Sequence, residues 1–332
     1  MRVQLRHTFA DIVSLKNLLA AWQEFARGKK DKKDVQAYSR YLADNLIILH
    51  ENLTTKRYTH GGYQAFSITD PKPRSIHKAP MEDRVLHHAV YRILYPFFDR
   101  VFAATSYSCR NGRGTHKALA KFREYARTAS RNNTRTCWVL KCDIRKFFAS
   151  IDQNVLIGVL STYIPDQDVS WLLKEIIGSF HSTQPGKGLP LGNLTSQLLV
   201  NVYMNEFDQY VKHHIKAKHY IRYADDFVFL SPDRGWLEQQ IPRVAKFLHD
   251  VLALELHPEK VYIRSLAAGV DFLGWINFPD HRVLRTATAR RMHKRIRESP
   301  RPETMQSYLG LMRHGNTKKL VTAVLNEYWL WQ

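Results

Sequence analysis

Cysteine is scarce in this chain, negative charge is in short supply, and long apolar runs are missing. The three cysteines, Cys109, Cys137 and Cys142, are odd in number and lack CxxC spacing. That usage excludes a disulfide scaffold and reads as structural, reduced thiols in the cytosol. No stretch approaches the roughly 18 continuous apolar residues of a spanning helix, and no short apolar segment with a cleavage site opens the chain. A cytoplasmic protein with no membrane partner is expected. The 16 histidines contain no HExxH pattern, and the adjacent pairs His87-His88 and His213-His214 read as surface or phosphate-facing groups. Internal repeats and long low-complexity segments are also absent. Asp and Glu number 30 against 50 Lys and Arg, a formal charge of +20. A surplus of that size is an electrostatic footprint for a polyanion, and nucleic acid is the commonest one.

At 332 residues the chain exceeds the usual size of one compact domain, so two or three lobes are expected. A helical opening (Ile12, Leu15, Leu18, Leu19, Trp22) precedes a charge run from Arg27 to Asp34, which is either a solvated loop or a grip on a phosphate backbone. A second helix carries Tyr38, Tyr41, Leu42, Leu46 and Leu49 on its apolar face. Residues 58–77 alternate like two strands or a hairpin, and Met81 to Phe98 reads as a helix. Trp138 to Ile144 is a buried-type strand, and Leu194 to Ile215 is the clearest amphipathic helix, with Asn193 or Thr195 to cap it. Next come a hairpin over Tyr220–Leu230 and a helix from about Trp236 to Leu252, where Pro242 is tolerable only near the first turn. A strand at Val261–Arg264 completes a split βαβ arrangement, a sheet covered by helices on one face. From about Leu284 the composition turns basic and helical, is broken at Pro300 and Pro302, and ends in an apolar helix with Trp329 and Trp331.

The most informative residues are Tyr223-Ala224-Asp225-Asp226, at the tip of the hairpin. Adjacent carboxylates repel one another. A divalent cation resolves that conflict, since Mg²⁺ takes carboxylate oxygens together with substrate phosphates. Asp143 ends the strand that begins at Trp138. If that strand neighbours the hairpin, three carboxylates converge on one edge, enough for two ions and two-metal phosphoryl transfer.

Around this acid set stand Pro71-Lys72-Pro73-Arg74 with Asp83-Arg84, Ser108 to Gly114, Lys141-Cys142-Asp143-Ile144-Arg145-Lys146-Phe147-Phe148, and Leu189 to Gln197. His257-Pro258-Glu259-Lys260 and Phe272-Leu273-Gly274-Trp275 follow the hairpin. In that order these segments resemble the reverse transcriptases over nearly the whole chain. The resemblance implies an α+β chain with the right-hand polymerase fold. Fingers would span 1–110 with an insertion at 153–187, a split-βαβ palm 111–152 and 188–280, and a small basic helical thumb 281–332.

It also implies roles. Asp143, Asp225 and Asp226 would be the catalytic acids and, with the Ile144 carbonyl, the ligands of two Mg²⁺ ions, for which Mn²⁺ could substitute. Lys260 matches a general acid for pyrophosphate, though a surface lysine would look the same. Lys72 and Arg74 match cations that close over the triphosphate; a strand-edge charge is the alternative. Phe148 falls where the family keeps a steric gate against a 2′-hydroxyl, or is a core ring beside Phe147. Leu191, Gly192 and Gln197 would meet the nucleotide, with Gly192 admitting backbone close to the template–nucleotide pair. Arg110, Tyr223, the primer-grip residues Gly274 and Trp275, and the thumb cations Arg290, Arg291, Lys294 and Arg295 would contact nucleic acid. An apolar turn packing a sheet edge is the other reading of the primer grip. Template RNA, a primer of RNA or cDNA, and dNTPs would be the partners.

Most relatives carry Gln where this chain has Leu191, and Gln197 ends the box. This variant resembles the reverse transcriptases of diversity-generating retroelements, which copy an RNA with errors at adenines and use a basic pentameric accessory protein. An aliphatic Leu191 removes a hydrogen-bonding constraint, which lowers discrimination. An antiphage-defence or other group II-like bacterial enzyme is the alternative, and a catalytically silent RNA-binding scaffold the alternative of another class. Group II intron enzymes usually add maturase and endonuclease regions, for which this length leaves no space.

Overall fold

The computed structural model describes residues 2–69 and 73–330. An N-terminal helical layer is built from α1 (Phe9–Val13), α2 (Leu15–Ala26), α3 (Lys33–Arg40) and α4 (Leu42–Thr54). The expected opening helix is split at Ser14, whose hydroxyl accepts from the Asn17 N–H and so caps α2. The expected second helix is split at Tyr41, where φ is −120°. A hairpin of β1 (Gln64–Ile68) and β2 (Arg74–Lys78) follows, then the long helix α5 (Met81–Val101). Leu18, Ala21 and Phe25 of α2 pack with Leu46, Leu49 and Leu53 of α4 and Val85, Leu86 and Ala89 of α5 in one core. The charge run is structural at its end: Lys78 and Arg84 bind Asp34 at 2.7 and 2.8 Å, tying α3 to β2 and α5.

The central part holds α6 (Thr115–Ala129), β3 (Trp138–Asp143), α7 (Phe147–Ser150), α8 (Gln153–Ser161) and α9 (Gln167–Gly178). Helix α10 (Leu194–Tyr210) continues into a π-helical turn at Val211–Ile215. Then come β4 (Tyr220–Tyr223), β5 (Asp226–Ser231), α11 (Arg234–Leu252) and β6 (Tyr262–Ser265). The four strands form an antiparallel sheet in the order β4-β5-β3-β6.

Helices cover this sheet on both faces, not on one. Leu140, Cys142, Phe227 and Phe229 face α10 and α11 in the first core, while Val139, Ile221, Val228 and Leu230 face α6 in a second. The unbroken apolar run in β5 reflects this: with a side-chain period of two, a strand buried on both faces has no polar side. Pro242 lies in the middle of α11 rather than in its first turn. The N–H it lacks would have bonded the carbonyl of exposed Glu238, on the solvent side of the helix.

A second small sheet, β7 (Val270–Phe272), β8 (Trp275–Asn277) and β9 (Arg282–Leu284), leads into α12 (Thr286–Glu298), α13 (Pro302–Met312) and α14 (Lys318–Leu330). Pro302 opens α13, where its missing N–H is no loss. Met292, Ile296, Met305, Met312 and Val324 join the second core. Among the described residues no helix is long and apolar enough to cross a membrane.

Of the paired histidines, His213 and His214 are exposed but His87 is buried, with Nε2 3.1 Å from Nε2 of His60. Burial, with His60 and His88 adding repulsion, lowers its pKa to about 3. A histidine that binds its proton less tightly in the native state contributes stability above its ordinary pKa, lost as pH falls from about 6.5 toward 3. His87→Gln should therefore lose stability less steeply over that range, read by urea denaturation at several pH values. Equal slopes for the two proteins would refute it.

Candidate active site

Strand register builds the site. Pairing of β3 with β5 sets Asp143 directly opposite Asp226, and β4 pairs Tyr223 with Asp226, leaving Ala224 and Asp225 as the turn. Ala224 adopts φ +57°, an uncommon region for a residue with a Cβ. The three acids thus share one sheet edge, as the sequence implies. Their side chains are not gathered: among the described residues no three carboxylate, imidazole or thiol groups stand within joint ligating reach. Lysines hold two of them instead. Lys260 Nζ lies 2.9 Å from Asp143 Oδ1, and Lys141 Nζ lies 3.3 Å from Asp226 Oδ2.

The electrostatics remain unbalanced. Asp226 Oδ1 is buried with no hydrogen-bond partner. Burial pushes the Asp226 carboxyl up to about 7, with Lys141 opposing and Asp225 adding to the rise. Asp225 is raised chiefly by burial and by Asp143, against Lys260 and Arg74. The orphaned Asp226 oxygen is the donor type that a hard divalent cation takes, and Asp143 and Asp225 lie beside it along the backbone, although their side chains are not drawn together. The Ile144 carbonyl also fits. Its bridge to Leu256 is bonded through Arg145 N–H to Glu255 O and His257 N–H to Asp143 O, which leaves the Ile144 oxygen unused by the bridge.

Other expected residues surround this edge. Arg74 begins β2, is exposed and acts on Asp225 through its charge; Lys72 lies outside the described residues. Phe148 is half-buried, its ring edge-on to Phe147, and its carbonyl accepts from Leu189 N–H at 2.9 Å. Leu191 O accepts from His77 N–H at 2.9 Å, so the Leu189–Asn193 segment runs between α7 and the β1–β2 hairpin. Asn193 heads α10, but its side chain donates to His77 O and makes no cap. A Cβ on Gly192, at φ +106°, would meet Ile76 Cγ2 at 2.7 Å. In this protein the close approach that requires glycine there is to the hairpin. Gln197 is exposed near the start of α10, and the Tyr223 hydroxyl accepts from Thr115 at 3.1 Å.

Two nucleic-acid contacts are corrected. The Arg110 guanidinium is almost fully buried and bonds Asp99, Ala103 and Ser106, so four of its five donors are spent in bracing the loop after α5 rather than on a phosphate. The Trp275 ring is buried against Gly315 of the α13–α14 loop. The tip of its hairpin is the half-exposed turn Leu273-Gly274, both with positive φ, as tight hairpins require. Arg290, Lys294 and Arg295 are exposed on α12 and Arg291 is half-buried there. Of the cysteines, Cys137 and Cys142 are buried and Cys109 is exposed; none is in a disulfide. Lys141 is the site residue that sequence reasoning missed. Its signal was spacing: two residues before Asp143 in a strand, it shares that residue's face.

Residues 69–277 match the family model described as reverse transcriptase (RNA-dependent DNA polymerase). Group II intron-encoded protein LtrA of Lactococcus lactis subsp. cremoris is 25% identical over 284 residues, covering 64% of this chain and 45% of LtrA. YkfC of Escherichia coli (strain K12) is 25% identical over 283 residues, covering 74% of this chain and 72% of YkfC. The chain thus spans less than half the length of LtrA. Apo telomerase from Candida tropicalis, truncated from its C-terminal domain, superposes with a TM-score of 0.52 at 11% identity, over 72% of this chain and 59% of that one. That likeness is one of fold, the right-hand polymerase arrangement.

If Lys260 and a cation compete for Asp143, Lys260→Ala should bind Mn²⁺ more tightly in the nucleotide-free protein. The gain is at most about fivefold, because half-exposed ion pairs are weak. Isothermal calorimetry reads it, and unchanged or weaker binding would exclude the competition.

Proposed function

We propose that this chain, which belongs to the reverse transcriptase family, is an RNA-directed DNA polymerase that joins dNTPs to a primer on template RNA. The observation that carries the proposal is the facing pair Asp143 and Asp226 with Asp225 in the adjoining turn, one oxygen of Asp226 being buried without a partner. Asp143, Asp225, Asp226 and the Ile144 carbonyl would hold divalent ions, which activate the primer 3′-hydroxyl and stabilise the triphosphate as it is cleaved. Arg74, joined by Lys72, would bind the triphosphate, a task suited to a guanidinium fork. Lys260 would exchange Asp143 for the departing pyrophosphate and give it a proton. Lys141 would keep one oxygen of Asp226 fixed while the other stays available. Phe148 would close the space beneath the sugar to a 2′-hydroxyl. Fingers at 1–110 and 153–187, a palm at 111–152 and 188–280 and a thumb at 281–332 would divide this work. Tyr223, Gly274 and the α12 cations Arg290, Arg291, Lys294 and Arg295 would contact the duplex, mostly through sequence-independent phosphate contacts.

Primer extension on poly(rA)/oligo(dT) with Mg²⁺ tests the reaction. Asp225→Asn should lower the rate by roughly a thousandfold or more, the scale of losing preorganised electrostatic stabilisation. Mg²⁺-dependent synthesis absent from the native protein and its variant alike, with RNA still bound, would point to an RNA-binding scaffold.

We further propose the mutagenic, diversity-generating subclass, supported by Leu191 and Gln197 in the box that ends at α10. That reading brings the basic pentameric accessory protein as a partner, and misincorporation opposite template adenine as the activity. Leu191→Gln should restore a hydrogen-bonding constraint and reduce adenine errors by about tenfold or more. Sequencing of extension products measures this. An unchanged error spectrum would instead favour another group II-like bacterial enzyme.

A further inference from the structure

Arg222 lies in β4 two residues before the Ala224 of the catalytic turn, and its side chain is fully buried together with that of Asp208 on α10. A guanidinium has five N–H donors and no acceptor. Here each donor has an acceptor. Nε and Nη2 form a fork on Asp208 Oδ1 and Oδ2 at 2.8 and 2.6 Å. Nη2 also donates to Ser106 Oγ at 3.0 Å, and Nη1 to Asn201 Oδ1 at 3.2 Å. The remaining bond runs from Nη1 to the Ala224 carbonyl, also at 3.2 Å.

Stability alone does not explain this arrangement. Desolvation offsets much of what a buried ion pair contributes, and apolar residues of the same volume often serve as well. What an apolar residue lacks is a donor for Ala224. That residue sits at positive φ, and its carbonyl belongs to the peptide unit that leads into Asp225. A planar peptide with its oxygen held has a fixed orientation, and so does the Cα that follows. The other end of the network is equally rigid. Asn201 donates to the carbonyls of Ser108 and Gln197, and the Asp208 carboxylate also accepts from the Tyr220 hydroxyl. Arg222 N–H bonds Thr105 O, and its carbonyl accepts from Tyr107 N–H.

We propose that Arg222 is a positioning residue for nucleotidyl transfer: anchored on α10 by Asp208 and Asn201, it fixes the Ala224–Asp225 peptide and thereby aims the Asp225 carboxylate. This rests on the polymerase reading given above. The same anchor joins the catalytic turn to the helix that begins at the nucleotide-facing box, since Asn201 and Gln197 are one helical turn apart. Lysine is no substitute, because its three donors radiate from one point and cannot span Asp208, Asn201 and Ala224 together. The sequence signal is a single arginine between Ile221 and Tyr223 in a strand otherwise made for burial.

The test compares the native chain with Arg222→Lys, Asp208→Asn and Asp225→Asn. Folding is checked by circular dichroism and melting, single-nucleotide incorporation gives kcat and KM, and calorimetry gives Mn²⁺ affinity without nucleotide. Folded Arg222→Lys should lose kcat by about 10- to 100-fold, as a small misplacement of a reacting group does. Its KM for dNTP should move less than about threefold, since binding contacts are intact. Mn²⁺ affinity should fall as well. A merely structural clamp would lower the melting temperature and leave kcat and Mn²⁺ affinity at native values in folded protein, and that outcome overturns the proposal. Where Arg222→Lys does not fold, Asp208→Asn decides on the same criteria, because it keeps the shape of the anchor and touches no atom of the turn. A native chain as inactive as Asp225→Asn would refute the polymerase reading, and Mn²⁺ affinity would then judge the positioning of Asp225 by itself.

Discussion

The antiparallel pairing of β3 with β5 holds the acids and both cores in place. It sets Asp143 against Asp226, and with a side-chain period of two a slip of one residue would send every side chain of one strand to the other face. Such a slip is prevented from both sides. Leu140, Cys142, Phe227 and Phe229 fill the core under α10 and α11, and Val139, Val228 and Leu230 fill the core against α6. Two independent hydrophobic cores therefore hold one register, and the acids at its end inherit that rigidity.

Charge at the edge is arranged as a controlled conflict. Asp225 and Asp226 are held in surroundings that disfavour their ionised forms, while Lys141, Lys260 and Arg74 reduce the conflict without removing it. Carboxylates kept half-buried in such surroundings are costly when ionised. The divalent cation proposed above would offset that cost. The β1–β2 hairpin closes over the same region through His77 and Ile76, which contact the segment containing Leu191 and Gly192. Backbone hydrogen bonds from Leu189 N–H to Phe148 O and from His77 N–H to Leu191 O thereby join α7, the Leu189–Asn193 segment and the hairpin.

Much of this was legible in the residues themselves. The β3 strand, the hairpin with its Ala224-Asp225 turn, the long helix after Leu194 and the basic C-terminal module follow from local periodicity, and the acids follow from their place at strand ends and in that turn. The errors were of a different kind. Arg110 and Trp275 carry residue types suited to nucleic acid, yet both are consumed by internal contacts, with Asp99 and with Gly315 respectively. His87 likewise turns inward to His60. Whether a polar or aromatic side chain faces solvent depends on what long-range packing brings beside it, and local sequence carries no record of that. Pro242 shows the same limit for the backbone: it stands in mid-helix, one turn after the exposed Glu238, where water can reach the backbone.

Local sequence settles which chemical groups the chain owns, their order, and the strand and turn on which each acid sits, because these depend on neighbours within a few residues. Long-range packing settles which cations face those acids, which arginine is anchored inside and that helices cover both faces of the sheet. Lys141 and Lys260 reach Asp226 and Asp143 by strand pairing and by a loop returning from α11, and Arg222 meets Asp208 and Ser106 across elements distant in the chain. Such contacts form where separately folding elements close on one another. Their partners are chosen by packing in three dimensions, which the local pattern constrains but does not specify.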